Sequence, residues 1–164
     1  KYKVYKRPGL EKFLTDVHQL FKLAIWSTGS DDYVSEIVKA ITPADCNYEF
    51  VWGRSRCTAR NLELKIAGKL TLSGIDYVKP LNKVKKLGYP LERILIVDDS
   101  PYKCADNYGN AIYIKAFEDD LNDCELQKLS CYLKQLQPQP DYRKIEKEGG
   151  KMAAIDCGFI ICLL

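Results

Sequence analysis

The sequence predicts an α/β fold with a mainly parallel sheet. Three observations carry that expectation. Two short apolar runs, Leu23-Ala24-Ile25-Trp26 and Ile94-Leu95-Ile96-Val97, have the composition of strands buried on both faces. Segments with helical periodicity separate and follow them. The second run delivers adjacent carboxylates, Asp98-Asp99, followed by Ser100-Pro101, to its carboxyl end. In open α/β sheets, ligands bind outside the carboxyl ends of the strands. Two carboxylates there repel each other and call for a positive partner, which a hard cation such as Mg2+ would supply together with phosphate oxygens.

Each element has its own local reason. Lys1–Arg7 alternates in the manner of an exposed strand. Pro8 suits the first turn of a helix that puts Leu10, Phe13, Leu14, Val17 and Phe21 on one face. Lys22–Ser27 reads as a strand, and Ser30 as the N-cap of a helix with Val34, Ile37, Val38 and Ile41 inward, closed by Pro43. Tyr48–Trp52 is a short strand ended by Gly53. Alternation on either side of Ala67-Gly68-Lys69 signals a hairpin. A helix is expected from about Tyr77, with Leu81, Val84 and Leu87 together, stopping at Gly88. After the Ile94 strand come a loop through Asn107–Asn110 and a strand over Ala111–Ile114. Asn122 and Glu125 form a capping-box pattern for a last helix with Leu126, Leu129, Leu133 and Leu136 inward, ended by Pro138 and Pro140. Residues 1–137 are therefore expected as one domain, and residues 138–164 as a poorly ordered tail.

Composition narrows the function. With 164 residues, 46% hydrophobic and 29% charged, the chain can build one substantial core. A net charge of only +3, with the lysines dispersed, gives no footprint for nucleic acid. The seven cysteines form no C-x-x-C pair and His18 is the lone histidine, so a structural zinc site is not expected. The cysteines read mostly as reduced core residues of an intracellular protein, cytoplasmic or nuclear. His18, on an amphipathic run, reads as a surface residue. The apolar run from Ala153 to Leu164, interrupted by Asp156, is too short to span a bilayer. A chain that opens at Lys1, with Met152 as its one methionine, reads as an internal piece of a longer protein.

Three groups fall where such a sheet converges. Ser27 and Thr28 end one strand just before a helix, where hydroxyls and backbone N–H groups suit a phosphate. Lys79 precedes the carboxylate strand, and Asp98-Asp99 ends it. Alone, a lysine there reads as a solvated charge and a Ser-Thr pair as the start of a cap. The order hydroxyl, lysine, Asp-Asp is more specific than any member.

That order resembles motifs II, III and IV of the haloacid dehalogenase superfamily. The surrounding residues narrow the resemblance: Lys6-Arg7-Pro8-Gly9-Leu10, Trp26-Ser27-Thr28-Gly29-Ser30, Tyr77-Val78-Lys79-Pro80-Leu81, Ile96-Val97-Asp98-Asp99-Ser100-Pro101, Asn110-Ala111-Ile112 and the Asp123–Leu129 helix. Together they look like the phosphatases of the RNA polymerase II C-terminal domain and their NLI-interacting-factor-like relatives, from about Lys6 to Leu136. The resemblance implies a Rossmannoid three-layer α/β/α fold with a small β-hairpin insertion. It also implies a Mg2+-dependent phosphoserine/phosphothreonine phosphatase acting on phosphorylated proteins or peptides; from composition, neither nucleic acid nor a membrane is expected as a partner. In that family an Asp attacks phosphorus to form an aspartyl-phosphate, and a second Asp serves as acid and base. Carried over by motif, Ser27 and Thr28 would bind phosphoryl oxygens and Lys79 would pair with the phosphate. Asp98 and Asp99 would hold Mg2+, one of them directly and the other through water or by orienting Lys79. Arg54, in Arg54-Ser55-Arg56-Cys57, matches a substrate-facing arginine more loosely.

The family's nucleophile motif, D-x-D-x-T, has no counterpart in these residues, which contain no D-x-D at all. The residues as they stand are therefore expected to be inactive, and a catalytically silent scaffold, as in the mitochondrial import-receptor branch, is the alternative. A receiver domain, which the Arg93–Pro101 run also resembles, is rejected. Its acceptor would fall at Asp141, inside Gln139-Pro140-Asp141-Tyr142, which is no strand. In this superfamily the nucleophile strand lies between the strands at Leu23 and Ile94. Without it the expectation is direct pairing of those two strands or an open slot. The apolar run Gly158–Leu164 and the Lys1 strand are the spare candidates to fill it.

Overall fold

The computed structural model describes residues 4–66, 69–107, 109–145 and 158–162. Eleven helices and strands follow in order: α1 Leu10–His18, β1 Phe21–Trp26, α2 Asp31–Ile41, β2 Tyr48–Trp52, β3 Thr58–Ile66, β4 Lys69–Val78, α3 Asn82–Lys85, β5 Ile94–Asp98, β6 Ala111–Tyr113, α4 Glu125–Leu136 and β7 Gly158–Cys162. Five strands form one sheet in the order β2-β1-β7-β5-β6, and β3-β4 form a separate antiparallel ribbon. All four contacts within the larger sheet are parallel. The fold is α/β, as the sequence predicts.

Alternation along the central strands sorts side chains into two cores. Leu23, Ile25, Leu95 and Val97 pack beneath α1, α2 and α4, which contribute Leu14, Val17, Val38, Leu129 and Leu133. Ala24, Trp26, Ile94 and Ile96 face the other way, onto Trp52, Leu81, Val84 and Cys104. The second face is covered by the four-residue α3 and by 3-10 turns, including Pro101–Asn107, so its layer is the thinner one. Along β5 all five residues are buried, as expected of a strand covered on both faces.

The slot between β1 and β5 is filled, which corrects the expectation of direct closure or an open slot. β7 pairs with both neighbours: Ile160 lies level with Leu23 and Leu95, and Cys162 with Ile25 and Val97. The physical reason is the cost of leaving two facing rows of N–H and C=O groups unpaired inside a sheet. Tyr142, also within the segment set apart as a tail, is fully buried in the larger core beneath Arg93.

Other differences are local. Val4–Arg7 form no strand; Arg7 is held instead by Asp123 through two hydrogen bonds of 2.8 and 2.7 Å. Tyr77 and Val78 end β4 rather than begin a helix, because Val78 pairs with Thr58, and the helix waits until Asn82, after Pro80. The capping box also gives way. Cys124 is the N-cap residue of α4, and Asp123 rather than Asn122 accepts the Glu125 N–H, at 3.0 Å. Cys57 and Cys104 are core residues as expected, whereas Cys124 and Cys131 are exposed. His18 is half-buried against Asn47, its Nε2 2.5 Å from Asn47 Oδ1. Among the described residues, no helix is long and apolar enough to cross a membrane.

Candidate active site

β1 and β5 run parallel, so their carboxyl ends open on the same side of the sheet. Ser27 follows β1 directly, and its backbone N–H donates to Trp52 O of β2 at 2.9 Å. The Ser27 Oγ accepts the Gly29 N–H at 3.1 Å, which turns the chain into the N-terminus of α2. A second turn, Arg54–Arg56, is locked onto this one: Arg54 N–H donates to Gly29 O at 2.8 Å, and Asp31 accepts the Ser55 hydroxyl at 2.7 Å. Only glycine fits at position 53 in that contact. A Cβ there would sit 2.8 Å from Asp31 Cα.

β5 carries Asp98 to the same side. Lys79 reaches it from the end of β4, with Nζ 3.2 Å from Asp98 Oδ2, and both side chains are almost completely buried. Burial pushes the Lys79 ammonium below its ordinary pKa, against the pull of Asp98. The remaining Asp98 valences are also met. Ser100 N–H donates to Oδ1 at 2.9 Å, and the Cys104 thiol donates to Oδ2 at 3.3 Å. Burial and the adjacent Asp98 push the Cys104 thiol up to about 12, so it stays protonated and can donate. Asp99 is exposed and accepts the Ser100 hydroxyl at 2.8 Å. Partial burial pushes its carboxyl up, but the Ser100 hydroxyl, Asp98, Lys103 and Lys79 together hold it below the ordinary value.

Ser27, Thr28, Lys79, Asp98 and Asp99 all line one cavity of about 360 Å³. Its apolar wall comes from α1, α2 and α4, through Leu10, Phe13, Ile37 and Leu129. The structure thus brings together five of the six residues singled out from sequence. Arg54 lies beside them, outside the cavity wall. Its Nε donates to Thr28 O at 2.8 Å, and its guanidinium lies 5.3 Å from the centre of the Tyr77 ring.

The donor set bears on the cation. Among the described residues, no cluster of three His, Cys, Asp or Glu side chains could enclose a metal. Asp98 spends its oxygens on Lys79, Cys104 and Ser100, and Asp99 alone presents an exposed carboxylate. That fits Mg2+, which is commonly held by one or two carboxylates and completed by water and phosphate oxygens. It does not fit an ion caged by protein.

Sequence reasoning passed over several residues at this site. Cys104 reads as a core cysteine and Asn107 as a loop residue, because their partners, Asp98 and Lys79, are set by the tertiary fold. Asn107 is buried, and its Nδ2 donates to Lys79 O at 2.6 Å, 28 positions away. No local pattern could signal it.

Comparison with known proteins agrees with the geometry. The chain matches the NLI interacting factor-like phosphatase family over residues 1–143. It is 26% identical over 152 residues to Nuclear envelope morphology protein 1 of Saccharomyces cerevisiae, covering 88% of this chain and 31% of that protein. Phosphatase Herzog of Drosophila melanogaster is 26% identical over 126 residues, covering 77% of this chain and 31% of its own length. The human Carboxy-terminal domain RNA polymerase II polypeptide A small phosphatase 1 is 24% identical over 145 residues, covering 88% and 49%. The chain therefore spans about a third to a half of the length of these relatives. Ordered motifs, an α/β sheet with Lys79 and Asp98 paired at its carboxyl edge, and a match over most of the sequence lead to one conclusion: the chain belongs to the NLI interacting factor-like phosphatase family, within the haloacid dehalogenase superfamily.

Proposed function

We propose that this domain binds the phosphoryl group of phosphorylated serine or threonine in an intracellular protein or peptide and, with an attacking carboxylate in place, hydrolyses it. The observation that carries the reading is the convergence of Ser27, Thr28, Lys79, Asp98 and Asp99 on one cavity. Ser27 and Thr28 offer hydroxyl donors at a helix N-terminus, where a phosphoryl oxygen is favoured. Lys79 holds a positive charge in a buried setting, so its attraction for phosphate is screened less than that of a surface lysine. Asp98 fixes the direction of that charge by pairing with it. Asp99 would hold Mg2+, which when bound would neutralise charge on the phosphoryl oxygens. Arg54, braced on Thr28, would meet the peptide beside its phosphate.

These residues contain no D-x-D, so they lack an aspartate pair to attack phosphorus and to protonate the leaving oxygen. Residues 1–164 are therefore expected to bind inorganic phosphate but not to release it from p-nitrophenyl phosphate at any Mg2+ concentration. Steady Mg2+-dependent release would overturn the assignment of roles. The position of β7 favours a second reading, a domain that binds phosphoprotein without cleaving it, because this strand takes the central place in the sheet. The protein sequence encoded ahead of Lys1 separates the two. An apolar strand ending in D-x-D-x-T there supports the phosphatase, and its absence supports the binding domain.

A further inference from the structure

Residues 79–81 have no strand or helix of their own. β4 ends at Val78, and α3 starts at Asn82. Yet Lys79 is buried and must aim its ammonium at Asp98. Its backbone is held instead by the turn that follows β5. Lys79 N–H donates to Lys103 O at 2.9 Å. Asn107 then spans the next peptide units: its Nδ2 donates to Lys79 O at 2.6 Å, and its Oδ1 accepts the Leu81 N–H at 3.0 Å. Pro80, between them, has no N–H to contribute. A primary amide carries both donor and acceptor on a single short side chain, and this site uses each.

The same turn also holds the other half of the ion pair, through the Cys104 thiol on Asp98. One seven-residue segment, Pro101–Asn107, thus grips both partners from the face opposite α1. On the reading that Lys79 binds the phosphoryl group, we propose that Asn107 is the positioning residue that fixes where the Lys79 ammonium stands. It acts through the Lys79 backbone and touches no substrate.

Asn110 provides a matched control. It is equally buried, its Nδ2 donates to Leu91 O and Ile94 O at 2.6 and 2.8 Å, and it braces the amino end of β5 rather than Lys79. The experiment measures inorganic phosphate affinity by calorimetry, and thermal melting, on the full 164-residue chain and on K79M, N107L, N107D and N110L. Asn107→Leu should weaken phosphate binding about tenfold, the usual scale for losing a group that orients a ligand. Asn107→Asp keeps the acceptor for Leu81 but loses the donor to Lys79. It should weaken binding too, and it carries the test if the leucine variant does not fold. Asn110→Leu should lower the melting temperature while phosphate affinity, measured below that temperature, stays unchanged. Unchanged affinity in the folded Asn107 variants, or an equal loss in N110L, overturns the positioning role. Lys79→Met should abolish binding; if it binds phosphate like the parent, the functional reading fails and not only the role of Asn107.

Discussion

Arg7 shows how one side chain can close a molecule. Its guanidinium takes both oxygens of Asp123, donates to Lys115 O at 2.9 Å and lies over the Phe117 ring, and Arg7 and Phe117 both line the cavity. Hydrogen bonds to a charged group contribute about 1.5–3 kcal/mol, so Arg7→Ala should lower stability by that order in a urea titration. The hydrogen bonds from Arg7 hold the Asp123 carboxyl below its ordinary value, although partial burial opposes them. A depressed carboxylate stabilises the fold above its unfolded-state pKa and loses that contribution as pH falls through the folded-state value. The stability gap between the parent and Asp123→Asn should therefore be full above about pH 4 and narrow below it. A gap that widens in acid would contradict the pairing. Lys79 has the sharpest functional consequence. In any form of the domain that carries the attacking aspartate, Lys79→Met should cost about a hundredfold or more in turnover and, by leaving Asp98 buried without its partner charge, about 3–5 kcal/mol in stability. A turnover assay matched to circular dichroism checks both halves.

Among the elements, β7 gives the clearest test. It pairs on both sides, so a proline within it removes an N–H from the middle of the sheet and sets its ring against a neighbouring strand. Ile160→Pro should lower the melting temperature and broaden the transition, read by circular dichroism; an unchanged melt would argue against β7 lying at the centre. At this scale the sequence was legible wherever burial sets the period. β1, α2, β2, β5 and α4 fall where the apolar residues put them, because β1 and β5 meet a core on both faces and the others on one. It was less legible where a distant partner decides. Tyr77 and Val78 have a helical continuation in sequence but a strand partner in space, Thr58 with Val78. Asn122 had the right spacing for a cap, but Asp123 is the residue that Arg7 draws into place. At the site, Ser27, Thr28, Lys79, Asp98 and Asp99 could be named from motif order. Asn107 and Cys104 could not, since their significance lies in what they touch.

For the molecule as a whole, the edges of the main sheet are β2 and β6. β6 has only three residues, and β2 presents the charged Glu49 outward, both of which discourage pairing with another chain. The full 164-residue chain should therefore sediment as a monomer. A chain ending at Ile145 loses β7, exposes the inner edges of β1 and β5, and should self-associate; equal behaviour of the two in light scattering would count against this account.

The position of β7 also sets a timetable. A ribosome delivers β1, β2, β5 and β6 first, and the strand that belongs between β1 and β5 only after α4 and Tyr142 have been made. At about 5–20 residues per second, several seconds pass between completion of Asp98 and arrival of Cys162. Throughout that interval no strand from residues 21–157 stands between β1 and β5, and their inner edges can accept one. The faster residues 99–157 are elongated, the less time the inner edges of β1 and β5 have to pair with another chain before their own strand arrives.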